Sequence, residues 1–192
     1  MPQFKRREVR IKVMQVLYAH EISKEPISKI KKDLMSDVDG EDNLQFSDAL
    51  ISNVLENEKL LDDYILGKVL NWELERMALV DRIVMRMGIC ELLFFPDIPP
   101  KVSINEAIDI SKEYCTRSSG RFVNGVLDAI HEDLKKENKL NKTGRGLLNT
   151  ESKNKNNGKK KPAHSKPKFE TGKKKLNNKK NPNPAVKGQT KI

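Results

Sequence analysis

Chemistry that depends on sulfur or imidazole has little to work with in this chain, which holds two cysteines and three histidines among 192 residues. Cys90 and Cys115 stand apart, with no C-x-x-C pair and no histidines clustered beside them. They encode neither a disulfide framework nor a thiolate metal site and read as reduced cysteines of a cytoplasmic protein. Apolar runs are short, as at Leu92–Phe95, far below the roughly 20 residues that cross a bilayer. The opening Met-Pro-Gln-Phe-Lys-Arg-Arg leads into an amphipathic pattern with Lys and Glu, so no apolar signal core follows the basic residues. Sustained period-two alternation and hairpin signals are missing, which argues against a sheet, and no repeat of solenoid length is present.

Catalytic patterns fail on spacing. His131-Glu132-Asp133-Leu134-Lys135 begins like the zinc motif H-E-x-x-H but places Lys135 where the second ligand belongs. Gly120 and Gly125 have P-loop spacing, yet Val126 and Leu127 replace the Lys and Ser/Thr that would hold phosphate and magnesium. With three histidines in all, a histidine-based triad has little to draw on. The chain is expected to act without catalysis, cofactor or metal.

Charge is what the chain has in quantity, and its distribution is uneven. The net charge is +10, but residues 135–192 hold 19 Lys and Arg against 3 acidic residues, leaving 18 basic and 24 acidic residues to 1–134. The basic character therefore belongs to a tail rich in Lys and Asn, too poor in apolar residues to offset the entropy of ordering, and expected to be disordered from residue 135 onward. Such a tail can hold polyanions with little sequence preference, or serve only to keep the chain soluble. Within the acidic body, Lys5, Arg6, Arg7, Arg10 and Lys12 stand together against Glu8 alone, which marks a local anion site.

Helical periodicity runs through the body. It predicts helices over 4–23, 26–36 and 46–66, short turns at 68–74 holding Trp72, and a helix over 75–94 that is apolar on nearly every face and hence central. After the rigid Pro96–Pro100 connector, Ser103 and Glu106 have capping-box spacing, so the next helix is predicted to start at Ser103. Ala107, Ile108, Ile110, Ser111 and Tyr114 would form its buried stripe. In the last helix Val123, Val126, Leu127, Ile130 and Leu134 recur at spacings of three and four, placing Arg121, Asn124 and Asp128 on the opposite face. Phe122 lies between the faces. Beside Arg121 and Asn124, and after Thr116-Arg117-Ser118-Ser119, it can offer a platform to an unpaired base; a partly buried Phe at a helix edge fits these residues as well.

Two of these segments carry a resemblance. Lys101-Val102-Ser103-Ile104-Asn105-Glu106-Ala107-Ile108 and Arg121-Phe122-Val123-Asn124-Gly125-Val126-Leu127-Asp128 are similar to the "KV-x-INEAI" and "KFVNGVLD" helices of the NusB family of transcription antitermination factors. Arg6-Arg7, Arg10 and Val16-Leu17-Tyr18 resemble that family's arginine-rich first helix. The resemblance covers roughly residues 3 to 134 and implies an all-α domain over 1–134, about seven helices as two packed three-helix bundles, ahead of the 135–192 tail.

What it implies about function is RNA binding without catalysis. The family binds boxA-like single-stranded RNA of leader and ribosomal transcripts through its first helix and the start of its last. Residue by residue this points to Arg6, Arg7, Arg10, Gln15, Arg121, Phe122 and Asn124, with Arg117, Ser118 and Ser119 as further candidates. Glu8 interrupts the arginine run of some members, and Thr-Arg-Ser-Ser at 116–119 replaces an acidic version of the loop, so RNA preference can differ. The resemblance also implies a small-subunit ribosomal protein, called NusE in transcription, as partner within the RNA polymerase antitermination complex, with Tyr18, Asp81 and Glu91 on the partner surface. Tyr18 could equally be a core-edge residue, Asp81 could pair with Arg82 or a tail lysine, and Glu91 could be solvated. Some family members self-associate as homodimers. The alternatives are a helical protein–protein adaptor whose RNA affinity comes only from the tail, or a detached RNA-binding module of an RNA methyltransferase.

Overall fold

The computed structural model describes residues 5–69 and 76–148. The turn predicted to hold Trp72 and the tail from 149 to 192 lie outside the described residues. Seven α-helices are found among them: α1 (Arg6–Ser23), α2 (Ile27–Leu34), α3 (Glu41–Glu56), α4 (Glu58–Leu66), α5 (Leu79–Phe94), α6 (Pro100–Tyr114) and α7 (Ser119–Lys136). No strand occurs among the described residues, and no helix there is long and apolar enough to cross a membrane.

α1 packs on α2 and α3, α6 and α7 pack on each other and on α5, and α1, α3 and α4 all meet α5. This is the expected pair of bundles, with α5 as the shared element. Its predicted all-round apolarity has that cause: every residue from Ile83 to Leu92 is buried, Arg86 and Glu91 included. Val123, Val126, Leu127, Ile130 and Leu134 of α7 are buried at the predicted spacings, and Val9, Val13, Val16 and Leu17 of α1 are buried at helical spacing as well.

Three predictions need correction. The helix expected over 46–66 is two helices, starting earlier at Glu41 and breaking at Asn57, whose Nδ2 donates to the Asn53 carbonyl oxygen at 2.9 Å. A side chain that takes a backbone acceptor offers the chain an alternative to the helix ladder. The second concerns Ser103, which is not a cap. α6 starts a turn earlier, because a proline's missing N–H is harmless at the first helical position. Ser103 is instead buried inside the helix, its hydroxyl donating to Glu91 Oε2 at 2.8 Å. Of the predicted α6 stripe, Ala107, Ile110 and Ser111 are buried, whereas Tyr114 is exposed.

The third correction concerns the tail, expected to be disordered from 135. α7 continues to Lys136, and Asn138 in a left-handed conformation (φ 52°) turns the chain so that the Lys139 amide donates to the Leu134 carbonyl at 2.8 Å. Residues 137–148 then return along the body as a strap. Leu140 packs on the core, the Thr143 amide donates to Pro96 O at 2.9 Å, and Gly144–Leu147 form a short 3₁₀ turn. Gly146 passes so close to the Pro96 carbonyl that a Cβ there would sit 2.0 Å from its oxygen. Lys142 is buried, and its ammonium donates to Glu91 O at 2.9 Å and Phe95 O at 2.8 Å, closing the C-terminal end of α5.

Burial lowers the Lys142 pKa to about 8 from the ordinary 10.5, against the opposing pull of Glu91 and Asp97. Between these values the unfolded chain holds the proton that the folded chain has released, so this group's contribution to stability rises with pH across that window. Lys142→Met abolishes that rise. Denaturant unfolding of both proteins should show wild type gaining on the variant by on the order of 1–3 kcal/mol from pH 8 to 10.5; a constant difference would contradict the assignment.

Candidate functional site

The first turn of α1 is secured by its own sequence. The Lys5 amide donates to Glu8 Oε2 at 2.8 Å, so the acidic residue within the arginine cluster closes the helix start. The arginines that follow diverge. Arg6 is exposed, donates to Asp42 O at 2.9 Å, and stands 4.5 Å from the centroid of the Phe46 ring. Arg7 is also exposed and reaches α6, where its Nε bonds Glu106 at 3.0 Å and its Nη2 bonds Asp109. These bonds raise the Arg7 pKa further, and although burial pushes Asp109 up, Arg7 and Lys112 hold it below the usual carboxylate range.

Arg10 is buried, not on the surface. Its guanidinium forms a two-pronged pair with Glu91, Nε to Oε1 at 2.7 Å and Nη2 to Oε2 at 2.9 Å. Only 4% of Arg10 and 2% of Glu91 is exposed, so neither side chain, expected on the RNA surface and the partner surface respectively, lies at the surface of this structure. Both hold α1 on α5. Asp81 is buried as well and accepts from Ser119 Oγ at 2.7 Å, joining the start of α5 to that of α7. Of the three residues expected on a partner surface, Tyr18 alone is exposed. Met14 is buried, and Gln15 is half-buried.

The remaining candidates gather where α7 begins. Arg117, Gly120, Arg121 and Asn124 line one side of an open groove of about 730 Å³, and Asn105, Ile108, Asp109 and Lys112 of α6 line the other. Arg117 and Arg121 are exposed and form no ion pair among the described residues. Gly120 lets the walls approach, since a Cβ there would meet Lys112 Cγ at 2.8 Å. Ser118 is exposed and within 3.0 Å of Thr116 Oγ1, while Ser119 is turned inward to Asp81. Phe122 is half-buried and packs against the core, the core-edge position that its place between the two faces allowed.

Asp109, the acceptor for Arg7, also lines this groove. Arg7 and the start of α7 therefore converge on the two sides of α6, joining segments far apart in sequence. No α6 residue is among the RNA candidates that the sequence offers, yet Asn105, Asp109 and Lys112 follow one another at spacings of four and three and share a face. Burial lowers the His131 pKa, and burial with the Asp81 carboxylate beside it pushes the Cys115 thiol up to about 12.

Comparison with known proteins identifies the family of the α1–α7 body. The model of the NusB family matches residues 7–132. The transcription antitermination protein NusB of Chloroherpeton thalassium is 44% identical over 153 residues, covering 77% of this chain and 71% of that protein. Among solved structures, T. maritima NusB aligns with TM-score 0.65 at 36% identity, over 69% of this chain and 94% of that one. A structure of antitermination factors NusB and NusE in complex with double-stranded RNA aligns with TM-score 0.61 at 25% identity, over 67% and 96%. With its α1–α7 body matched nearly end to end, the chain belongs to the NusB family of transcription antitermination factors.

Proposed function

We propose that the protein binds boxA-like single-stranded RNA together with a small-subunit ribosomal protein acting as NusE, supports ribosomal RNA transcription within an RNA polymerase antitermination complex, and acts by binding alone. One observation carries the reading: the groove between α6 and α7 presents the uncompensated guanidiniums of Arg117 and Arg121 beside the amides of Asn105 and Asn124. Guanidiniums take phosphates as forked pairs, and side-chain amides read base edges. Arg6, Arg7 and Phe122 border this RNA surface, while Arg10 and Ser119 act from beneath by holding α1 and α7 in place. Tyr18 serves the ribosomal partner, with Glu91 and Asp81 supporting the helices below. The complex of NusB and NusE with double-stranded RNA among the structural relatives supports the pairing of RNA with NusE as ligands. Lysines of the tail add attraction without sequence preference.

The test is binding of the full chain to a boxA-like RNA, a scrambled RNA and a duplex of the same sequence, each with and without the ribosomal protein, across a salt series. Preference for the boxA-like strand that grows with the partner is expected. Equal affinity for all three in both conditions would leave only the tail's nonspecific attraction and refute the reading.

A further inference from the structure

The first turn of α1 stands between two openings. On the Arg7 side is the groove already described. On the Arg6 side a smaller cleft of about 290 Å³ is lined by Arg6, Phe46, Val102, Arg145 and Leu148, with the Asp97 carboxylate on its wall as well. Two of those residues, Arg145 and Leu148, come from the strap, so this cleft has its full wall only because residues 137–148 fold back.

The strap is held in a manner that fixes Arg145. Lys142, three residues before Arg145, is bonded to the carbonyls of Glu91 and Phe95 at the end of α5, and Gly146, one residue after it, lies against Pro96. The Arg145 side chain is exposed and forms no ion pair among the described residues. Opposite it, Arg6 rests on the Phe46 ring. An arginine supported by an aromatic ring gives a base a planar surface to stack on, and a second free arginine gives the adjoining phosphate a cation.

α6 links the two openings. Val102 lines the cleft, and Asn105, Asp109 and Lys112 line the groove. Spacings of three, four and three place these residues on one stripe, about 15 Å long at the helical rise of 1.5 Å per residue. The stripe has unpaired arginines at both ends, and at its middle Arg7 is neutralised by Glu106 and Asp109.

We propose that residues 137–148 complete the RNA surface: a single strand lies along this stripe of α6, one end held in the groove by Arg117 and Arg121, the other in the cleft by Arg6 and Arg145. The inference rests on the RNA-binding reading of the groove and adds the strap as a second, separate hold. Stacking at the cleft requires unpaired bases, so the strand is single-stranded there.

The experiment measures affinity of the full chain for boxA-like RNAs lengthened one nucleotide at a time, against excess unrelated RNA that occupies the tail. Wild type, Arg145→Ala, Arg145→Glu, Arg145→Lys and Arg121→Glu are compared, with circular dichroism to verify the fold. Beyond the length that reaches the cleft, Arg145→Glu weakens binding about tenfold, Arg145→Ala makes the slope of log K against log salt shallower by about 0.7, and Arg145→Lys retains it. If Arg121→Glu weakens every RNA while all Arg145 variants match wild type at every length, the strand ends in the groove and the strap inference is overturned. If Arg121→Glu also has no effect, the RNA-binding reading of the groove falls first and the inference with it.

Discussion

Replacing Arg10 with alanine is expected to lower the unfolding free energy by about 3–5 kcal/mol, more than any other arginine of α1. Arg6 and Arg7 lie at the surface, where an ion pair is worth about 1 kcal/mol or less. Arg10 is different because it is buried against Glu91, and removing it leaves that carboxylate inside the protein with the Ser103 hydroxyl as its remaining side-chain donor. The penalty comes from the abandoned partner more than from the lost attraction. Arg10→Met combined with Glu91→Leu therefore recovers most of the loss, and a double-mutant cycle in urea reads the coupling directly. A cost below 1 kcal/mol for Arg10→Ala would show that water reaches the pair.

The same residue shows where sequence reading stops. Periodicity located Val9, Val13, Val16 and Leu17 because their burial repeats at helical spacing. Arg10 falls among exposed arginines in the sequence, and only a partner 81 residues away explains its burial. The burial of Glu91 is hidden for the complementary reason: in an apolar helix an acidic residue reads as the solvated edge, and nothing local announces the guanidinium that pairs with it. Ser103 and Glu106 had correct capping spacing, but Pro100 could already start the helix, so both side chains were free for tertiary contacts. The strap was hidden by composition, since Lys142 looks like any other lysine of a basic tail until the carbonyls at the end of α5 are brought beside it. Arg121 and Asn124 were legible because the exposed face of a single amphipathic helix is a local property. Their partners in the groove, Asn105 and Lys112, required knowing that α6 lies alongside α7.

Reversing both free groove arginines, Arg117→Glu with Arg121→Glu, is expected to weaken RNA binding about 10²-fold near physiological salt and to make the salt slope shallower by about 1.4, which is 0.7 for each lost phosphate contact. These two carry the effect because neither is neutralised by a neighbouring carboxylate among the described residues. Arg7→Ala is expected to do less, as Glu106 and Asp109 already compensate its charge. Thermal unfolding of the double variant should match wild type, since both side chains are exposed. Unchanged affinity and slope in a folded double variant would move the RNA off this groove.

The encirclement of α5 bears on how the molecule opens. Helices at an edge can fray and let solvent reach their amides without disturbing the rest, whereas a helix packed by α1, α3, α4, α6 and α7 has no face that can separate alone. Deuterium enters the amides of Ile83 to Leu92 only when the bundles part. Their exchange rates thus measure the global opening of the fold, and every substitution that weakens the Arg10–Glu91 pair should speed them together by the same factor.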